Sequence, residues 1–242
     1  MSERVIVWFS CGAASAVAAK LAVEKYGDRC EVVYCNTLAS EHPDNVRFMS
    51  DVERWIGKRV MIISSEKYTS VDDVFEKTRY MSGIAGARCT TELKKVPRLN
   101  FQQADDIHVF GFTLDEPDRI KNFERNNPEL SLEWILRDNL IRKADCFGSL
   151  SRAGIEPPKM YELGFKNNNC IGCVKATSPA YWSKVRKHFP EVFERRAKVS
   201  REIGARLVRI DNERVFLDEM PNKEYGRVTE NVSCGPQCGL FG

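Results

Sequence analysis

The stretch Val5-Ile6-Val7-Trp8-Phe9-Ser10-Cys11-Gly12-Ala13-Ala14-Ser15 sets the fold of this chain. Five apolar residues, all β-branched or aromatic, make a run too short for a helix and suited to a strand buried on both faces. A turn of small residues follows, and then an Ala-rich helix expected over Ser15–Lys25. Small side chains let a phosphate approach the backbone, and the N–H groups at a helix N-terminus point at it. Ser10 and Ser15 add hydroxyl donors, with Cys11, Gly12 and Ala13 between them. The same residues would also serve a tight strand-to-helix turn selected for packing alone. A turn after the first strand of an open α/β sheet is, however, where such folds tend to place ligands.

Outward from this stretch, short β-branched runs alternate with helical ones, the pattern of a parallel sheet covered by helices. Strands are expected at Arg4–Phe9, Glu31–Asn36, Val60–Ser64 and His108–Phe112. Helices are expected over about Asp44–Ile56 and Ser70–Tyr80, the latter with Ser70 as N-cap and Asp73 at N3. The fold class is therefore α/β, a Rossmann-like, mostly parallel sheet with helices on both faces. After about Asn126 the character changes to loop punctuation such as Glu156-Pro157-Pro158 and Lys166-Asn167-Asn168-Asn169. Helices are expected at Arg142–Ala153, Pro179–His188 and Pro190–Ile203, with a hairpin of Arg206–Ile210 and Arg214–Leu217 around Asp211-Asn212-Glu213. This divides the chain into a nucleotide-binding core, residues 1–130, and an α+β extension, residues 131–242, packed on it as one unit.

The chain of 242 residues is 43% hydrophobic and 29% charged, enough apolar content for a packed core and too much for global disorder. No apolar run approaches the ~20 residues of a membrane helix. Arg4 and the run after it invite a signal-peptide reading, but the run is shorter than the ~7–15 residues of a signal core. The expected location is the cytoplasm, with no membrane partner. With 37 basic and 34 acidic residues the net charge is +3, which does not demand a nucleic-acid partner. Nine cysteines without a secretion signal point to thiols and metal ligands rather than to a disulfide framework.

Several segments, in order, resemble the phosphoadenosine-phosphosulfate (PAPS) reductase-like branch of the PP-loop superfamily. Ser10–Ser15 looks like a variant of the PP-loop, written Ser-Gly-Gly-x-Asp-Ser in ATP pyrophosphatases. Cys11 replaces a Gly, and Ala14 stands where those enzymes carry the Asp that helps hold the magnesium of ATP; sulfonucleotide reductases often lack it. Cys35-Asn36-Thr37, with Glu41-His42-Pro43 after it, is similar to a segment near the adenosine, which implies Asn36 and Thr37 as nucleotide contacts. Arg88-Cys89-Thr90-Thr91-Glu92-Leu93-Lys94-Lys95-Val96-Pro97 resembles a segment whose basic residues meet the substrate's phosphate or sulfate, and Arg88 and Lys94 suit oxyanions. Gly111-Phe112-Thr113-Leu114-Asp115-Glu116-Pro117-Asp118-Arg119 is similar to Gly-x-Arg-x-x-Glu-Ser…Arg, which implies Gly111 and Arg119, while Thr113 replaces the earlier Arg.

The sharpest metal signal is Cys170-Ile171-Gly172-Cys173, a turn in which two thiolates converge. Cys234 and Cys238 form a second group and Cys89 is a fifth candidate. A [4Fe–4S] cluster would use Cys89, Cys170, Cys173 and a tail cysteine such as Cys234, an arrangement that resembles bacterial adenylyl-sulfate reductases. A zinc site would use Cys170, Cys173, Cys234 and Cys238. Inert thiols are the third reading. The ending Gln237-Cys238-Gly239-Leu240-Phe241 resembles the reductases' mobile Glu-Cys-Gly-[Leu/Ile]-His tail, which implies Cys238 as the nucleophile.

The resemblance implies a sulfonucleotide reductase-like enzyme that binds an adenine nucleotide and is turned over by a thioredoxin-like reductant. Two other functions share the fold: ATP-dependent sulfur insertion into tRNA or DNA, and a non-catalytic nucleotide-binding accessory protein with a degenerate loop. A homo-oligomer is compatible with each.

Overall fold

Val5–Phe9 (β1) is buried along its whole length, and its side chains alternate between two cores. Val5, Val7 and Phe9 face one helical layer; Ile6 and Trp8 face the other. The structure is a computed structural model that describes residues 3–84, 86–232 and 234. Cys238, the expected nucleophile, lies outside the described residues.

From β1 the chain runs through Ala13–Tyr26 (α1), Cys30–Cys35 (β2), Asn45–Ile56 (α2), Val60–Ile63 (β3) and Val71–Thr78 (α3). A small antiparallel hairpin, Ser82–Gly83 (β4) with Gly86–Ala87 (β5), leads into Arg88–Thr90 (α4), a π-helical turn at Thr91–Lys95, and Val96–Phe101 (α5). Then come Ile107–Phe110 (β6), Pro117–Asn126 (α6), Ser131–Glu133 (β7), Ile135–Asp138 (α7) and Lys143–Arg152 (α8). Lys159–Glu162 (α9), Pro179–His188 (α10), Pro190–Ile203 (α11), Val208–Ile210 (β8) and Glu213–Val215 (β9) follow. The main sheet has five strands in the order β3-β2-β1-β6-β7, every pair parallel. The chain builds outward from β1 to β3, then returns to lay β6 on the other side of β1. The connections leaving β1 and β6 therefore diverge, and a crevice opens at their carboxyl ends.

Local chemistry explains the element ends. Ser70 Oγ accepts from the Asp73 N–H at 3.1 Å, the expected cap of α3. The last hairpin turns on Asp211 (φ 49°) and Asn212 (φ 68°), two residues that tolerate the left-handed region. Glu213, expected in that turn, is instead in β9 opposite Ile210.

The division at residue 130 does not follow the packing. β7 completes the sheet from beyond that point, and Cys146 and Leu150 of α8 share a core with Ala16 and Ala19 of α1. Conversely, Val74 and Phe75 of α3, with Cys89 and Leu93, share a second core with Met160, Tyr181, Trp182 and Phe193. The two regions interlock through these exchanged segments. Among the described residues no helix is long and apolar enough to cross a membrane.

One buried polar contact makes the sheet acid-sensitive. His108 on β6 is 1% exposed, and its Nδ1 accepts from Trp8 Nε1 at 3.0 Å. Burial, with the nearby Arg98 charge, pushes its pKa from 6.5 down to about 4. The unfolded chain therefore binds a proton at higher pH than the folded one. The stabilisation is fully present above pH 6.5 and is lost as pH falls toward 4, about 3 kcal/mol for this group. Urea unfolding at pH 7 and pH 4.5 is expected to show this loss, and His108→Leu to flatten it.

Candidate functional site

The turn after β1 is organised by one hydroxyl. Ser15 Oγ accepts from the N–H groups of Ser10 (3.1 Å) and Gly12 (3.3 Å) and donates to the Gly12 carbonyl at 3.0 Å. Cys11 takes φ 54°, the left-handed conformation that a glycine adopts without strain and that the PP-loop spelling supplies at this position. Its side chain is fully buried, 4.0 Å from the Asn45 carbonyl, and burial raises its thiol pKa well above the ordinary value. The Cys11 sulfur is therefore packed in the core and not presented to a ligand. Ala13 is likewise buried.

Gly111, directly after β6, presses on this turn. A Cβ there would stand 2.7 Å from Ser15 N and 2.8 Å from Ser15 Cα, both backbone atoms that cannot swing aside. The backbones after β1 and β6 meet at van der Waals distance only because residue 111 has no side chain. Gly111→Ala is expected to destabilise the fold by about 1–3 kcal/mol, read as a lower urea midpoint. An unchanged midpoint would mean the two loops are not held at this spacing.

A cleft of about 190 Å³ opens at this switch point. Ser10, Gly12 and Ser15 line it from the turn, and Gly111 and Arg119 line it from the loop and helix after β6. Arg119 pairs with Glu116 and lies 4.2 Å over the Phe112 ring, which fixes its guanidinium at the rim. Thr113, standing where the resembled family has an Arg, uses its N–H (3.1 Å) and hydroxyl (3.2 Å) to hold Glu116.

Sequence reasoning missed the opposite wall. Lys143, Tyr161 and Asn167 through Asn169 line the cleft, as does Cys234. The Lys143 ammonium donates to the Lys166 carbonyl (2.6 Å) and Asn167 Oδ1 (2.8 Å), and burial lowers its pKa. Three successive asparagines read as loop punctuation; their polarity in a loop was the available signal. Ala14 lines the cleft without a carboxylate, while Asp115 and Glu116 do bring carboxylates to it. Asp115 is held by Arg142 Nη1 (3.0 Å) and the Lys143 N–H (2.9 Å).

Six expected ligand contacts fall outside this lining: the buried Cys11 and Ala13, and four others. Thr37 is buried and donates to Glu41 Oε1 at 2.6 Å, joined on that carboxylate by Tyr34 Oη (2.8 Å) and Asn45 Nδ2 (2.6 Å). Asn36 closes its own loop through Ser64 Oγ (3.1 Å) and the Leu38 N–H (3.3 Å). Arg88 is exposed and paired with Glu92 at 2.8 Å, one turn along its own helix. Lys94 is only 6% exposed. The π-helical turn that contains it adds a residue to the helical register and turns its side chain inward.

Lys94 stands among cysteines. Cys89, Cys170 and Cys173 are buried in the second core, with Cys234 packed against it, and all eight described cysteines are free thiols. Burial works against the Lys94 charge, but Cys234, Cys170 and Glu41 outweigh it and raise its pKa well above the ordinary value. Burial pushes Cys89 up to about 12 and raises Cys170 well above the ordinary range. Cys173 and Cys234 share a hydrogen bond, which with burial raises the Cys173 pKa well above the ordinary value. The bond from Cys173, with Lys94, Lys175 and the Thr90 hydroxyl at 3.6 Å, lowers the Cys234 pKa well below the ordinary thiol value against the effect of burial.

The Cys170–Cys173 turn is rigidly supported. Gly172 takes φ 67°, and a Cβ there would meet Val192 Cγ1 at 3.0 Å. Its carbonyl accepts from Nε of the buried Arg196 at 3.2 Å, and the Cys173 N–H donates to Tyr181 Oη at 2.8 Å. Among the described residues, no group of three or more His, Cys, Asp or Glu is spaced to grip a single metal ion. Cys89, Cys170, Cys173 and Cys234 are the thiols that a polynuclear cluster, with one thiolate on each iron, would have to use.

No protein-family model matches the chain, and no curated protein matches it.

Proposed function

We propose that the chain is an enzyme of sulfur chemistry that binds an adenine nucleotide, acting in the manner of a sulfonucleotide reductase. The observation that carries this reading is a shared wall. Cys234 lines the same cleft as Ser10, Gly12 and Ser15, and it interacts with Cys89, Cys170, Cys173 and the buried Lys94. Arg119 and Lys143 supply positive charge for a nucleotide's anionic groups at that cleft. This juxtaposition of thiols and basic groups supports sulfur chemistry on a phosphate-bearing ligand.

In this reading the Cys238 thiolate attacks the sulfur of the bound sulfonucleotide. A sulfur–sulfur bond forms as the sulfur–oxygen bond to the nucleotide breaks, and the nucleotide phosphate leaves with the electron pair. A thioredoxin-like dithiol then displaces sulfite from the S-sulfocysteine and ends as a disulfide. Cys89, Cys170, Cys173 and Cys234 would hold a [4Fe–4S] cluster, which when bound supplies a polarisable, redox-active group beside the cleft.

A second reading has one observation in its favour. Asp115 and Glu116 line the cleft and could carry the magnesium of ATP that Ala14 cannot, as sulfur insertion into tRNA or DNA requires. Product analysis separates the two. Steady sulfite release from a sulfonucleotide with thioredoxin, abolished in Cys238→Ser, is expected. Sulfite release intact in Cys238→Ser removes that residue's role. AMP and pyrophosphate from ATP, with no sulfite, replaces reduction by insertion.

A further inference from the structure

The cleft contains one buried acceptor that no donor among the described residues meets. Asn168 lines the cleft and is 6% exposed, yet among the described residues its Oδ1 has no hydrogen-bond partner. An unmet buried carbonyl oxygen is costly, and native structures rarely retain one unless something else satisfies it.

The amide cannot relieve this by flipping. Asn168 Nδ2 donates to the Cys11 carbonyl at 2.6 Å and to Asn45 Oδ1 at 2.8 Å. Asn45 is itself oriented, because its Nδ2 donates to Glu41 Oε2 at 2.6 Å. Glu41 in turn receives the hydroxyls of Tyr34 and Thr37, so its oxygens act as acceptors. The direction of donation is fixed at each link, from Asn168 to Asn45 to Glu41. Rotating the Asn168 amide would set its oxygen against two other acceptors, the Cys11 carbonyl and Asn45 Oδ1. The chain also ties the cleft wall to the strained turn, since Cys11 supplies one of the two acceptors.

We propose that Asn168 is a specificity-determining residue whose Oδ1 accepts a hydrogen bond from a neutral donor of the bound molecule, a ribose hydroxyl or an exocyclic amine. This rests on the nucleotide reading above and deepens it. Arg119 and Lys143 answer the anionic part of a nucleotide; an oriented, acceptor-only oxygen answers its donor-bearing part and repels a further anionic oxygen. A site made for inorganic phosphate or sulfate alone would have no use for it.

Binding of adenosine 5′-monophosphate to the full chain, by titration calorimetry, is compared with its 2′-deoxy, 3′-deoxy and N6,N6-dimethyl analogues. Loss of the one donor that Asn168 meets is expected to weaken binding about tenfold, and the analogue affected tells ribose from amine. In Asn168→Ala that difference is expected to vanish, parent and analogue binding alike. Asn45→Ala releases the amide to rotate and is expected to shrink the difference, which keeps the test open if Asn168→Ala does not fold. If no analogue binds more weakly than the parent, or if the difference survives in Asn168→Ala, the role of Asn168 is overturned and the nucleotide reading stands. If the unaltered chain binds none of the four, the nucleotide reading falls and takes this role with it.

Discussion

Lys94→Met is expected to destabilise the folded protein by about 3–5 kcal/mol, the cost of stripping the counter-charge from buried ionised groups. Three groups interact with this ammonium, of which Cys170 is kept a neutral thiol by burial. Cys234 and Cys170 are the largest sources of its raised pKa, and the Glu41 carboxylate comes next. Methionine preserves the stem and its packing, so the effect isolates the charge. The Cys234 thiol would also titrate at higher pH, since Lys94 helps to hold its thiolate. Urea unfolding and iodoacetamide alkylation against pH measure the two consequences. The resemblance implies a different outcome, with Lys94 as an oxyanion ligand in the cleft. In that case the substitution would weaken ligand binding and leave the unfolding midpoint near that of the unaltered protein. The depth of Lys94 in the second core favours the structural result.

Protein purified without oxygen is expected to carry iron and acid-labile sulfide, and Cys170→Ser or Cys173→Ser to lose most of both. Each cysteine is 5% exposed, set in a turn held by Arg196 and Tyr181, and in electrostatic contact with Cys89 and Cys234. A serine hydroxyl is a poor substitute for a thiolate toward iron, so one change removes a ligand without disturbing the shape. Zinc bound without sulfide would convert the group to a structural site, and metal-free protein would leave it as a set of buried thiols. Either result would withdraw the cluster from the mechanism while leaving the cleft and its charges in place.

The sequence was most readable where one local rule decides the structure. The run Val5–Phe9 followed by small residues could hardly be anything but a buried strand entering a helix, and the parallel sheet follows from that alternation. Ser10, Gly12, Ser15, Gly111 and Arg119 could be placed at one cleft because each sits at a strand's carboxyl end or just beyond it. The cysteines of the Cys-x-x-Cys turn were legible from spacing alone, and their grouping with Cys89 and Cys234 came from the resemblance rather than from spacing.

What escaped the sequence depends on register and long-range burial. Lys94 reads as a basic residue on a helix, and nothing in Thr91–Lys95 announces the π-helical turn that drives it inward. Thr37 reads as a loop hydroxyl, but its partner Glu41 is one of the few buried carboxylates, and the pairing draws it away from the cleft. Asn168 looks like its neighbours Asn167 and Asn169; only the fixed orientation of Asn45 and Glu41 reveals the oxygen left over. The exchange of α3 and α8 between the two cores is invisible to any boundary drawn from composition.

The central claim is that sulfur chemistry takes place on a nucleotide bound at the mouth of β1 and β6. Its most direct test is to mix anaerobically purified protein with adenosine 5′-phosphosulfate radiolabelled in the sulfate, without reductant, and then to digest the chain and locate the label. The account predicts label held covalently on the peptide that contains Cys238 and released as sulfite when thioredoxin is added. Label absent from every cysteine peptide, under conditions where the nucleotide binds, would contradict it.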